Sequence, residues 1–427
     1  MTLLPLYAFA AGVVLLATRT ARADSLIRPN DVIAICGDSI TEQRIYSVFI
    51  EDYLLMCHPT PGQRIAQFGW WGQTAEGFHS KIQADLFPFK PTVVTTCFGM
   101  NDGGYQAVQK DTLDNYRQKL TDLVTDLHKG GVRDIVIGSP GCVDSGFDHS
   151  GTTPATYNET LRSMTEVAKE VAQKSSTAFT DIHSPMMDVM AKAKAAYGDA
   201  YQFVAGQGVH PSANGHLVMA AALLKGLGCD GAIGTVTLNL DANTGEGSPG
   251  QKIISFAKGT AEIESSRYPF CFTGDPDKPD QTSAATVKFT TFNEDLNRYL
   301  LVVKGLKSTK AKVTWSNPEG TVSVVKEFAA TDLATGINLA AAFIGTNPFS
   351  NAFGKVDVAV QAQQANEVNL VKAFLDNLPA FKVLAPGREA DFDRLAGAAL
   401  DRDATLFQAA TALVTPVRHT IKVEPIL

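Results

Sequence analysis

No two cysteines in this 427-residue chain stand at the C-x-x-C spacing. The six present (Cys36, Cys57, Cys97, Cys142, Cys229 and Cys271) therefore give no support to a zinc or thioredoxin-type reading. Histidine is scarce, eight in all, and His79, His149 and His183 lie at no metal-ligand spacing from carboxylates or cysteines. No metal and no cofactor are expected. Basic charge is not in excess either. The 37 Lys and Arg face 44 Asp and Glu, and a net charge of -7 offers no electrostatic footprint for nucleic acid or for an anionic lipid surface. Beyond the first residues no apolar run is long enough for a transmembrane helix. Repeats and low-complexity tracts are absent as well. What remains is ordinary for a folded globular protein, 45% hydrophobic and 19% charged, at a length that favours two domains.

The N-terminus carries a short apolar segment, Leu3 to Leu16, followed by Ala21-Arg22-Ala23, a small-x-small pattern. No Lys or Arg precedes it. The expectation is a cleaved signal peptide over 1–23, hence an exported protein, periplasmic or secreted, with no stable membrane insertion after cleavage. A short anchor or a buried first helix is the alternative. In an exported chain some cysteines can oxidise, but Cys36 and Cys97 each end an apolar run and are expected as buried free thiols. The sequence assigns no disulfide.

From Asp31 to about Leu227 the pattern alternates. Val32 to Cys36, Thr92 to Phe98, Asp134 to Gly138 and Thr177 to Asp181 are short apolar runs suited to strands buried on both faces. Helical patterns fall between and after them, over Ile45 to Met56, Thr112 to Lys129, Thr153 to Lys174 and Asn214 to Gly226. This alternation predicts an α/β unit with a parallel sheet over 24–228. The composition changes near Cys229. Strand-like stretches over Gly234–Leu240, Lys252–Ile263, Ala285–Phe292, Arg298–Val303, Lys312–Trp315 and Thr321–Phe328 predict a β-rich domain, 229–427. It carries a helical insertion, Phe349 to Leu378 and Ala390 to Val414, and a closing strand at His419 to Val423.

Gly37-Asp38-Ser39-Ile40-Thr41 follows the first strand directly, so Ser39 sits on a sharp strand-to-helix turn at the carboxyl end of the sheet. Taken alone, Ser39 is as well explained as a helix cap, and Gly72, Asn101 and His210 as loop residues. Their joint order changes that. Gly69-Trp70-Trp71-Gly72-Gln73-Thr74, Gly99-Met100-Asn101-Asp102 and Val209-His210-Pro211 follow in turn. This set of blocks resembles the SGNH (GDSL-like) hydrolases over roughly Asp31 to Gly226, with Ser39, Gly72, Asn101 and His210 matching the four residues for which the family is named. The resemblance implies a flavodoxin-like three-layer fold and a serine esterase. It makes Ser39 the nucleophile and His210 its base, with an oxyanion hole from the Ser39 and Gly72 N–H groups and the Asn101 amide. Acyl transfer needs that set: a base to take the hydroxyl proton, and donors fixed beforehand where negative charge develops. Asp38 and Asp102 are expected to brace the site from behind. Trp70 and Trp71 are expected either to line the substrate site or to pack.

One position departs from the family pattern. An Asp is usual three residues before the histidine, and here that position is Gln207. Glutamine can accept a hydrogen bond from the imidazole and orient it, but it brings no charge. Three arrangements follow, in order of preference: a Ser39–His210 dyad oriented by Gln207 or a backbone carbonyl; a substitute carboxylate, with Asp144 and Asp148 as candidates; or a weak or inactive relative that binds glycans. The leading functional expectation is deacylation, such as deacetylation, of a carbohydrate ester. A general short-chain esterase or lipase acting on a small-molecule ester is the next. The β-rich half is expected to bind carbohydrate, act as a lid or assembly surface, or cap the first domain.

Overall fold

The computed structural model describes residues 25–426. The expected signal segment, 1–23, lies outside the described residues. Five parallel strands form the first sheet: β1 (Val32–Gly37), β2 (Arg64–Gly69), β3 (Val93–Cys97), β4 (Asp134–Gly138) and β5 (Ala178–Thr180). Their order is β2-β1-β3-β4-β5, the flavodoxin-like doubly wound arrangement. The apolar runs are strands because both faces are covered. Ile33, Ala34, Ile35 and Cys36 are all fully buried, so no polar alternation is needed. The helix Lys110–Lys129 lays Tyr116, Leu120, Leu123, Val124 and Leu127 on the sheet at helical spacing. The helix Pro154–Lys174 begins with Thr153 accepting from the Thr156 N–H and Pro154 in its first turn.

Some expectations needed correction. Ala285–Phe292 is not a strand: Thr282 caps a short helix, Ser283–Val287, and a second helix starts at Phe292. Cap chemistry outweighed β-branched content there. The edge strand β2 was not expected, because Arg64 and Gln67 interrupt its apolar run. The helix His183–Tyr197 was not expected either. All six cysteines are free and buried.

Nine further strands follow: β6 (Ala232–Asn239), β7 (Thr244–Gly247), β8 (Gln251–Ala257), β9 (Thr260–Ser265), β10 (Arg298–Lys304), β11 (Lys310–Ser316), β12 (Ser323–Ala329), β13 (Ile337–Asn338) and β14 (Val417–Ile426). They form a four-stranded sheet, β13-β10-β6-β7, and a five-stranded sheet, β12-β11-β14-β9-β8. The long helices of this half reach over to the first sheet. Ser350–Asn369 packs on β2 and on the helix Tyr46–Asp52, and Leu370, Val371 and Leu375 join the core beside the first sheet. Polar groups seal the seam. The Gln67 N–H donates to Glu367 at 2.9 Å, Ser47 Oγ donates to Gln364 Oε1 at 2.7 Å, and Arg64 pairs with Asp403 at 2.5 Å. The second half thus braces the sheet that carries the candidate site.

Candidate active site

Ser39 is the first residue of the helix Ser39–Glu42, so its N–H has no partner within that helix. Asp38 caps the same helix, its Oδ1 accepting from the Ile40 N–H at 2.9 Å. The other loops converge here. The Trp70 N–H donates to the Gly37 carbonyl at 3.2 Å, which lays the 70–74 loop along the Ser39 turn. Asp102 ties that loop to the next, accepting from the Ala75 and Gly99 N–H groups at 2.9 Å each. Burial pushes the Asp38 carboxyl up to about 7 and that of Asp102 up to about 6.

Ser39 Oγ lies 2.8 Å from His210 Nε2, across 171 positions of sequence. Ser39 is only 6% exposed and His210 is half-buried. Burial lowers the basicity of His210, and the Gly206 carbonyl partly restores it. A hydroxyl donating to Nε2 leaves the ring proton on Nδ1, so the imidazole can accept the serine proton.

The structure separates the candidates for the third member. Gln207 is exposed in a left-handed conformation (φ 53°), and among the described residues no hydrogen bond joins its side chain to His210. Asp148 is exposed. Asp144 is 2% exposed but committed elsewhere: it pairs with Lys194 and accepts from the Phe203 and Val204 N–H groups at 2.7 and 3.2 Å. Burial alone would raise its carboxyl; the Lys194 ammonium and the surrounding N–H groups outweigh this and hold it below the usual range. Asp144 therefore acts on the backbone leading to His210. Its own N–H donates to the Gly208 carbonyl at 2.9 Å, and Gly208 (φ 69°) packs so closely that a Cβ would come within 2.1 Å of the Phe147 nitrogen.

Gly72 has φ 66°, and a Cβ there would meet nothing within 4 Å. The backbone conformation, not crowding within the chain, is what calls for glycine. Asn101 is fully oriented. Its Oδ1 accepts from Tyr105 Oη at 2.7 Å, and its Nδ2 donates to the Gln73 carbonyl at 2.9 Å, with Asp38 Oδ2 further off at 3.5 Å. One Nδ2 hydrogen is therefore not tightly bound. Tyr105 stacks on His149, with ring centroids 4.6 Å apart. This residue was missed in the sequence, as was Gln43, whose Oε1 accepts from His216 Nε2 at 3.1 Å and whose Nε2 reaches the Pro211 carbonyl at 3.5 Å. Burial drops His216 to about 3, so it is a neutral strut between the Ser39 helix and the His210 loop.

The two tryptophans divide. Trp70 packs beneath Lys81 and Lys372, whose ammonium groups lie 4.2 and 4.9 Å from its ring. Trp71 is 73% exposed and stacks on His210, centroid to centroid 5.2 Å with planes 14° apart. Two other features are no rival sites. Ser265 Oγ lies 2.9 Å from His419 Nε2, but Trp315 Nε1 donates to His419 Nδ1 at 3.1 Å, so Nε2 carries the proton and cannot serve as a base; all of these groups are fully buried. A cavity of about 550 Å³ between the helix His183–Tyr197 and residues 289–296 contains none of the four motif residues. Among the described residues no group of three or more His, Cys, Asp or Glu side chains could hold a metal ion. Nor is any of their helices long and apolar enough to cross a membrane.

Comparisons with known proteins bear on the family and the fold. The GDSL-like lipase/acylhydrolase family model matches residues 35–218. The chain is similar to an acetylxylan esterase of Geobacillus stearothermophilus, 26% identical over 189 residues, which are 43% of this chain and 80% of that protein. Its fold is similar to the solved structure of a gut microbial diltiazem-metabolizing enzyme, at 21% identity and a TM-score of 0.71, over 94% of this chain and 98% of that one. The shared fold thus includes the β-rich half. Strand order, the turn after β1 and the family match lead to one conclusion: residues 35–218 form a GDSL-like lipase/acylhydrolase domain of the SGNH type, and the protein is an ester-bond hydrolase.

Proposed function

We propose that the protein is a serine esterase that removes a short acyl group, such as acetyl, from a carbohydrate, working through an acyl-enzyme on a Ser39–His210 dyad. The observation that carries this reading is the 2.8 Å contact between Ser39 Oγ and His210 Nε2. His210 takes the hydroxyl proton as Ser39 attacks the ester carbonyl, and then gives it to the departing sugar oxygen. The Ser39 and Gly72 N–H groups and the second Nδ2 hydrogen of Asn101 receive the oxyanion. Water, deprotonated by the same imidazole, releases the acid. Two things support a sugar ester: the similarity to the Geobacillus stearothermophilus acetylxylan esterase, and the open indole face of Trp71 beside His210. The signal-like segment over 1–23 belongs to the same reading, which takes the enzyme as exported, with a catalytic unit over 24–228 and an accessory unit over 229–427.

The test is acetate release from acetylated xylo-oligosaccharides, and p-nitrophenol release from p-nitrophenyl acetate, by wild type and Ser39→Ala. Wild type should turn over both, and Ser39→Ala should lose at least about 10³-fold in kcat. Hydrolysis of the aryl ester alone points to a general short-chain esterase. Equal rates for the two proteins sink the serine mechanism.

A further inference from the structure

The SGNH pattern asks for a carboxylate on His210, and among the described residues none is in place. Gln207 points to solvent, Asp148 is exposed, and Asp144 is consumed by Lys194 and backbone N–H groups. The remaining influences on the ring are burial and the Gly206 carbonyl. The buried titratable groups around the site belong to other elements. Asp38 sits behind Ser39, Asp102 sits behind Asn101, and His216 is neutral. Against the face of the imidazole lies Trp71.

We infer that Trp71 is a positioning residue for His210. Its indole, stacked 5.2 Å away and within 14° of parallel, holds the imidazole plane toward Ser39 and stabilises the imidazolium formed during the reaction, in place of the missing carboxylate. The inference rests on the serine-esterase reading of this site. A neutral imidazole gains only packing from the stack. Once the ring takes the Ser39 proton, a cation lies over the indole face, and the ring quadrupole attracts it. An interaction stronger in the charged state than in the resting state acts on the barrier and not on substrate binding. The exposure of Trp71 fits this role. A tryptophan left 73% in water contributes little burial to the fold, and its place is explained by what it touches. Its neighbour Trp70 shows the same preference, with two lysine ammonium groups over its ring.

Two measurements test this on the full chain. The first is the titration of His210 by NMR in the Ser39→Ala background, its signal assigned with His210→Gln. There Trp71→Leu lacks the quadrupole and keeps only part of the apolar cover, while Trp71→Phe keeps a weaker quadrupole and a flat ring. The His210 pKa should fall by about half to one pH unit in the Leu protein, with Phe between. The second is kcat and KM with p-nitrophenyl acetate in the otherwise native enzyme. Trp71→Leu should lower kcat about three- to thirtyfold with little change in KM, and Trp71→Phe should recover part of the loss. An unchanged or raised His210 pKa in the Leu protein overturns the inference. So does a loss confined to KM, which would make Trp71 only a substrate platform. If Ser39→Ala still hydrolyses esters, the serine reading fails instead, and the titration alone decides the matter of Trp71.

Discussion

Consider replacing Asp38 with asparagine. The side chain is 3% exposed and caps the Ser39 helix through Oδ1, which accepts from the Ile40 N–H at 2.9 Å. Burial moves its carboxyl from an ordinary 3.8 to about 7; the Asp102 charge adds to the rise, and the Ile40 N–H opposes it. Between about pH 4 and pH 7 the folded protein therefore holds a proton that the unfolded chain has already released. Where the folded state binds more protons, stability falls as pH rises. The gap from 3.8 to about 7 corresponds to about 4 kcal/mol, lost by the time the pH passes 8. Asparagine keeps the capping oxygen and never ionises. Its stability relative to wild type should climb by about 4 kcal/mol between pH 4 and pH 8. Denaturant unfolding of both proteins at several pH values and one ionic strength measures this, because the titrating groups other than Asp38 and its coupled neighbour Asp102 are common to both and cancel. Any constant cost of the altered cap shifts the whole difference without changing its slope. A pH-independent difference would refute the reasoning, since it would mean that Asp38 is ionised in the folded protein at low pH.

Three further outcomes are expected. Gln207→Ala should change kcat by less than about twofold, as for other exposed positions, in a steady-state assay with p-nitrophenyl acetate; a loss of a hundredfold would restore it as the orienter of His210. Lys194→Met should cost about 3–5 kcal/mol by chemical denaturation near pH 8, because it strands the buried Asp144 charge. Asp144 is held below its ordinary range when paired, so the pair's stabilisation is present above the unfolded pKa and is lost in acid. The cost should accordingly shrink toward pH 4, and no destabilisation at pH 8 would count against the pair. Tyr105→Phe removes the hydroxyl that fixes the Asn101 amide. It should lower kcat about five- to tenfold with KM nearly unchanged, and an unaltered kcat would show that Asn101 is held without it.

Much of the first half was legible because its strands are buried on both faces and its motif blocks stand at strand ends. The run Val32 to Cys36 has no polar residue to confuse it, and the turn after it announces Ser39. β2 was hidden by Arg64 and Gln67: the Arg64 guanidinium pairs with Asp403, and the Gln67 N–H donates to Glu367 of the helix Ser350–Asn369, each some 300 positions later. Nothing local reports such partners. The missing carboxylate could be seen in Gln207, but what surrounds His210 instead could not. A stack of Trp71 on a ring 139 positions away and an exposed Gln207 side chain are products of how the loops converge. The same holds for Asp144, flagged as a candidate by its loop and found to hold the His210 segment from behind.

The order of the third sheet bears on how the protein is made. β14 is its middle strand, paired with β9 on one side and β11 on the other. It leaves the ribosome roughly 150 residues after β9, a wait of about 8–30 s at usual elongation rates. Through that interval the β8–β9 hairpin and the β11–β12 hairpin each present an open edge to the cell, with Ala261 and Ile263 on a face that only later becomes core. Unpaired edges of this kind recruit other strands. The β-rich half of a nascent chain should therefore depend on chaperone cover more than the parallel sheet ahead of it, whose five strands are all complete by residue 180.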